Sequence, residues 1–210
     1  MVFIFDIDDT ISETDEFSES FINQSIIDYK LPYKQISKIG RYADYKFDWS
    51  QEEAIKWYKV FGDEMLLLFP CKPNAVKTIN ALYDMGHKII ITTARDTLYH
   101  TNPLLTTKLW LSKNKIKYNK LIISRSDKEN VCEEENADFI IDDSLSITKR
   151  VAEKFEQSAQ KCQALLMSSA YNLTQQEAPN VVRINDYPHL VEYLKSNGID
   201  ISAQLNLNEK

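Results

Sequence analysis

The chain has 210 residues, 43% hydrophobic and 27% charged, enough apolar material for one sizeable core and too much to read as disordered. A formal net charge of -6 and a pI near 5.2 disfavour binding to long nucleic acid or an anionic membrane, so an anionic substrate would need positive charge supplied locally. Three scattered cysteines (Cys71, Cys132, Cys162), no membrane-length apolar run and an opening apolar run too short for a secretion signal set the expectation of a cytoplasmic protein with reduced thiols.

Short apolar runs alternate with longer helical stretches along the chain. VFIFD (2–6) reads as a strand that stops on an acid. Two helical stretches follow. In SETDEFSESFINQSIIDYK, Ile22, Ile26 and Tyr29 hold helical spacing, with Phe17 and Phe21 a turn earlier. In SQEEAIKWYKVFGDEMLLLF, Ile55, Tyr58, Phe61 and Met65 do the same, although Gly62 weakens the pattern. The stretch between them, KIGRYADYKFDW, is aromatic and basic. A crossover of this length exceeds what a simple βαβ connection needs, so 12–69 reads as a small helical cap inserted after the first strand. Next come a helix over 73–85 closed by Gly86, the strand KIIIT (88–92), a helix near 104–112 and the strand KLIIS (120–124). FIID (139–142), a helix over 144–155, ALLM (164–167), a weaker strand VVRI (181–184) and a helix over 187–195 complete the pattern. The polar tail 197–210 is expected to be flexible. Continuous apolar strands alternating with helices imply an α/β fold: a Rossmann-like parallel sheet flanked by helices, with 1–11 and 70–196 forming the core.

Ligands of open parallel sheets bind beyond the carboxyl ends of the strands, where this chain concentrates acids. Asp6 ends the first strand and Asp8 follows two residues on, sharing a face in extended geometry. Asp142 and Asp143 end the fourth strand. Like charges raise one another's pKa unless a cation or a reaction needs them, and a hard divalent ion, Mg²⁺, suits all-oxygen ligands. At the end of KIIITTAR, Thr92, Thr93 and Arg95 offer hydroxyls and a guanidinium to phosphate oxygens, and Lys128 stands as a lone ammonium in RSDKENVCEEENAD. Asp143 or Ser144 could equally cap the helix that follows, and one threonine of the pair could be an ordinary strand residue.

Asp-Ile-Asp-Asp-Thr after an apolar strand resembles the first motif of the haloacid dehalogenase-like (HAD) phosphohydrolases. A threonine of IIITT, Lys128 and the IDD ending at Asp143 resemble the remaining three motifs, in order. ITTARD, TTKLWLSKNKIKYNKLII, DKENVCEEENADFIIDDS and SSAYN are most similar to the 5'(3')-deoxyribonucleotidase and bacterial nucleotidase group. The resemblance implies that Asp6 is a nucleophile giving an aspartyl-phosphate and that Asp8 is the acid and then the base. It implies Mg²⁺ among the Asp6 carboxylate, the Asp8 main-chain carbonyl, an aspartate of the Asp142/Asp143 pair and the phosphate, with Thr92 or Thr93 and Lys128 on the phosphate oxygens.

The substrate expected is a small phosphorylated molecule, a nucleotide, with Phe17, Phe21, Tyr42, Tyr45, Phe47 and Trp49 as candidates to stack on its base and Arg41 as added charge. These aromatics could instead form the core of the cap. The three histidines (His87, His100, His189) lack ligand spacing and read as structural or surface residues. The alternatives are a phosphatase for a sugar phosphate or a polynucleotide 3' end, and a catalytically silent binding module on the same fold.

Overall fold

A computed structural model describes residues 1–38 and 45–207, apart from the side chain of Leu207. Six strands form one wholly parallel sheet in the order β3-β2-β1-β4-β5-β6: β1 (Val2–Asp6), β2 (Lys88–Thr92), β3 (Lys120–Ile122), β4 (Phe139–Asp142), β5 (Gln163–Met167) and β6 (Val181–Ile184). Alternate residues serve opposite faces, as the period of a strand requires. Phe3, Phe5, Ile89, Ile91, Ile141, Leu165 and Met167 enter the core on one side, while Ile4, Ile90, Ile140, Ala164 and Leu166 enter the core on the other. Burying each such side chain is worth about 1.5–3 kcal/mol, and both faces need helices to cover them. Among the described residues no helix is long and apolar enough to cross a membrane.

The register carries the chemistry to one place. Phe5 pairs with Ile91 and Ile141, and Asp6 pairs with Thr92, so β1 and its two neighbours end side by side. Helices α3 (Ala75–Asp84), α4 (Pro103–Lys113), α5 (Lys128–Glu134), α6 (Leu145–Glu156) and α7 (Tyr187–Ser196) follow the later connections. Gly86, at φ +83, ends α3 in the left-handed conformation that glycine adopts without strain.

Between β1 and α3 lie α1 (Thr14–Asp28) and α2 (Gln51–Leu68). Ser50 and Glu53 form a reciprocal capping box at the start of α2. The two ends of this insert meet in an antiparallel bridge between Ser12 and Cys71, with Glu13 N–H donating to Pro70 O at 2.9 Å and Lys72 N–H to Ile11 O at 2.8 Å. Trp57 Nε1–H donates to Ser25 Oγ at 3.0 Å and ties α2 to α1. Apolar side chains of the insert (Ile22, Phe47, Trp49, Trp57, Met65) are continuous with the core under one sheet face.

Two elements depart from the sequence reading. A short helix, α5, forms in the charged stretch around Lys128, and the tail is ordered as far as it is described: Ile199 and Ile201 are buried and α8 (Ser202–Leu207) follows. The flexible tail expected from 197 is thereby corrected. Ile201 and Leu205, one turn apart, give it an apolar face to seat on the core.

Candidate active site

Beyond the carboxyl ends of β1 and β4, side-chain oxygens of Asp6, Asp142 and Asp143 lie within 4.8 Å of one another, all three residues buried. Lys128, at the first position of α5, reaches between two of them: its Nζ donates to Asp6 Oδ1 at 2.5 Å and to Asp142 Oδ2 at 2.7 Å. Burial alone would lower the Lys128 pKa, but the Asp142 and Asp6 carboxylates raise it above its ordinary value. One ammonium against three carboxylates leaves the cluster short of positive charge. Burial, reinforced by Asp142 and Asp8 and opposed by Lys128, pushes Asp6 up to about 7. The remaining Asp142 oxygen accepts Ser144 N–H at 2.8 Å. Asp143 is held from the segment after β5: Tyr171 O–H donates to Asp143 Oδ2 at 2.5 Å, and Asn172 Nδ2 donates to the Asp143 carbonyl at 2.7 Å. Both belong to the SSAYN stretch.

Asp8 lies outside this trio, and its carboxylate is gripped by Arg95. Nε donates to Oδ2 at 2.9 Å and Nη2 to Oδ1 at 2.6 Å, while Thr14 Oγ1 adds a hydrogen bond to Oδ1 at 2.9 Å. Burial opposes the charge, but Arg95 wins and holds the Asp8 carboxyl below its usual range. The sequence left Arg95 open between phosphate oxygens and a pairing with Asp96 or another acid; in the structure its guanidinium meets Asp8. The rings of Phe69 and Trp110 lie 5.6 and 6.0 Å from the guanidinium carbon and hold it in place. Of the two threonines, Thr93 faces the cleft and contacts Asp8 at 3.4 Å; Thr92 is fully buried and its hydroxyl has no partner among the described residues.

Asp9, the third acid of the run, has a separate task. In a left-handed conformation (φ 53), its Oδ1 accepts N–H from both Thr14 and Asp15 at 3.0 Å. It thereby caps α1 from outside, where Glu13 at the N-cap makes no side-chain bond. The same loop thus fixes Asp8 and anchors the insert.

A cleft of about 850 Å³ opens over these groups. Tyr45 and Trp49 line it. Phe17, Phe21 and Phe47 do not: Phe47 is buried, and Phe17 and Phe21 pack against the core, so the expectation that they stack on a substrate is corrected. A group of small helices needs an apolar interior, and these rings supply it. Arg41 and Tyr42 lie outside the described residues. Tyr58, Tyr99 and His100 also line the cleft, on the side of α2 and the segment after β2, and the sequence reading assigned them no such role. His100 is buried against the Tyr58 ring as well as lining the cleft. His87, by contrast, packs edge-on against Phe3, and His189 accepts the Asn185 N–H within its own turn.

Comparison with protein-family models finds no match, and neither does comparison with curated proteins. Solved structures do resemble the chain over nearly its whole length. A HAD-superfamily hydrolase from Ehrlichia chaffeensis matches at 13% identity and TM-score 0.54, covering 93% of this chain and 96% of that one. A predicted phosphoglycolate phosphatase from Haemophilus somnus 129PT matches at 17% and 0.60, covering 91% and 96%. A D,D-heptose 1,7-bisphosphate phosphatase from B. bronchiseptica, solved with magnesium and phosphate, matches at 12% and 0.51, covering 94% and 99%. At these identities the likeness concerns architecture: the chain has the α/β fold of HAD-superfamily hydrolases.

Proposed function

We propose that the protein is a Mg²⁺-dependent phosphomonoesterase that hydrolyses (deoxy)ribonucleoside monophosphates through an aspartyl-phosphate on Asp6. The observation that carries the reading is the convergence of Asp6, Asp142 and Asp143 within 4.8 Å beside Lys128, with Asp8 two residues further along the same loop. An all-carboxylate donor set fits a hard dication, and Asp6, Asp142 and Asp143 would hold it. Bound there, it would neutralise charge on the carboxylates and the phosphate.

In this reading an Asp6 oxygen attacks phosphorus and the P–O bond to the leaving alcohol breaks, the departing oxygen taking from Asp8 a proton that Asp8 must first acquire from solvent or the substrate, because Arg95 holds its carboxyl ionised. Asp8 then removes a proton from the water that cleaves the acyl-phosphate and returns Asp6 as a carboxylate. Lys128 and the Thr93 hydroxyl hold phosphate oxygens as charge moves. Arg95 keeps Asp8 in place for both steps, and its grip favours the ionised form that the second step needs. Residues of the insert act as a cap over the leaving group, with Tyr45 and Trp49 presenting rings to a base.

A second reading, phosphatase action on a sugar phosphate, is favoured by the similarity to structures described as a predicted phosphoglycolate phosphatase and a D,D-heptose 1,7-bisphosphate phosphatase. Phosphate release from a panel of 5' and 3' (deoxy)ribonucleoside monophosphates and sugar phosphates, with Mg²⁺ and with EDTA, decides between them. Release concentrated on nucleotides and abolished by Asp8→Asn is expected. Release from sugar phosphates alone would retain the chemistry and discard the nucleotide, and none from any compound would reject the enzyme.

A further inference from the structure

Asp142 and Asp143 stand side by side at the end of β4 but are fixed by different parts of the chain. Asp142 accepts from Lys128 and from the Ser144 N–H, whereas Asp143 meets the connection between β5 and β6. Tyr171 Oη lies 2.5 Å from Asp143 Oδ2 and 2.9 Å from the Asp143 carbonyl oxygen. One hydroxyl proton cannot serve both acceptors fully. The shorter contact, to the charged oxygen, takes it, since charge-assisted bonds are the shorter and stronger ones. The carbonyl is served by Asn172 Nδ2 at 2.7 Å.

The connection that carries these two residues is itself braced. Asn172 is fully buried and uses its whole amide: Nδ2 also donates to Met167 O at 2.9 Å, while Oδ1 accepts the Ser169 N–H at 3.0 Å and Arg183 Nη1–H at 3.1 Å. Arg183, on β6, meets the same connection again through Nη2, which donates to Gln175 O at 2.7 Å. A line of hydrogen bonds thus runs from the edge strand of the sheet through Arg183 and Asn172 to Asp143. It holds more than a loop. Three buried carboxylates within 4.8 Å of one another repel, and a free aspartate side chain relieves the repulsion by rotating away. Backbone contacts alone would anchor the loop; the Tyr171 bond to Oδ2 restrains the rotation of the carboxylate itself. Hydrogen bonds of this kind are what fix ligating carboxylates in metal sites.

We infer that Tyr171, braced through Asn172 and Arg183, is a positioning residue that holds the Asp143 carboxylate in its place in the trio and thereby raises the affinity of the trio for a divalent cation. The inference rests on the metal assignment made in the phosphomonoesterase reading above. It extends that site to a residue 28 positions beyond Asp143 in the chain.

Calorimetric titration of the substrate-free protein with Mg²⁺ tests it without turnover, alongside melting curves in EDTA. Tyr171→Phe keeps the ring and removes one oxygen. It is expected to weaken Mg²⁺ binding roughly 10- to 100-fold, the usual scale for losing a partner of a ligating group. Arg183→Met breaks the brace without touching Asp143 and should weaken binding in the same direction by less. A residue that only tied down the loop would lower the melting temperature in EDTA and leave the Mg²⁺ affinity as it was. Wild-type affinity in Tyr171→Phe, whatever its melting temperature, would therefore overturn the inference, and wild-type affinity in Arg183→Met would strike the brace from it. A wild type that binds no Mg²⁺ in the millimolar range would overturn it together with the metal assignment. Mg²⁺ binding that weakens as expected, in a protein that releases no phosphate from any compound, would overturn the phosphomonoesterase reading and leave the role of Tyr171 standing.

Discussion

Arg95 holds Asp8 by both carboxylate oxygens, Nε to Oδ2 at 2.9 Å and Nη2 to Oδ1 at 2.6 Å, from 87 residues away in the chain. Two parallel bonds set the plane of the carboxylate as well as its position, which a single ammonium contact cannot do. Arg95→Lys is therefore expected to keep the charge and lose the alignment: kcat should fall by about 10²-fold while KM changes little. Arg95→Ala should in addition cost about 3 kcal/mol of stability, at the lower end for a broken buried pair because the Asp8 side chain is 32% exposed. Steady-state kinetics and thermal melts on the two variants check this; a Lys variant with full kcat would remove Arg95 from the positioning of Asp8.

The carboxylate trio makes a prediction that needs no substrate. If Asp6, Asp142 and Asp143 hold Mg²⁺, the ion must stabilise the folded chain by mass action, about 2.7 kcal/mol at a hundredfold excess over Kd. For a domain of this size that is roughly 5–10 °C in Tm. EDTA should reverse the shift and Asp6→Asn should blunt it. A Tm indifferent to Mg²⁺ across the millimolar range would reject the trio as the metal site.

Neighbouring aromatics of the insert should separate cleanly into two kinds. Phe47 is buried with Trp49 against its ring at 5.1 Å, and Phe47→Ala is expected to lose about 3–5 kcal/mol of stability. Tyr45, two residues earlier, is 70% exposed and lines the cleft, so Tyr45→Ala should leave the melt within about 0.5 kcal/mol of wild type. If Tyr45 stacks on a base worth about 1–3 kcal/mol, its loss raises KM for nucleotides by roughly 5- to 150-fold and spares sugar phosphates. A Tyr45 variant with unchanged KM for every nucleotide would take the base away from this side of the cleft.

Three of the strands were legible because they are buried on both faces: VFIFD, KIIIT and FIID are continuous apolar runs whose polar ends coincide with the ends of β1, β2 and β4. The acids at those ends were legible for the same reason, since a carboxylate closing a buried strand has few structural uses. Helix α5 was hidden by the acids around it, although Lys128, Val131 and Cys132 keep the i, i+3, i+4 spacing that would have shown it. The partner of Arg95 was not legible, because its pairing depends on how β1 and β2 lie side by side and on Phe69 and Trp110 shaping its pocket. His100 escaped for a related reason: Gly62 reads as a defect in a helix until the imidazole beside it is seen.

Asp9 anchors the insert from the same short loop that carries Asp6 and Asp8. Its Oδ1 accepts the Thr14 and Asp15 N–H groups, and Thr14 in turn donates to Asp8, so the first turn of α1 is built onto that loop. Asp9→Ala removes the acceptor for two helix N–H groups and is expected to lose about 1–2 kcal/mol, the usual range for a lost N-cap. Asn keeps an oxygen in the same place, so Asp9→Asn should retain most of that stability. Hydrogen exchange then distinguishes local from global loosening: in Asp9→Ala the amides of Thr14 to Phe17 should exchange faster while those of β1 stay protected. Because Thr14 also steadies Asp8, kcat should fall several-fold in the Ala variant and recover in the Asn variant. Equal loss of activity in both variants, with α1 protected in each, would make Asp9 part of the chemistry and not of the anchor.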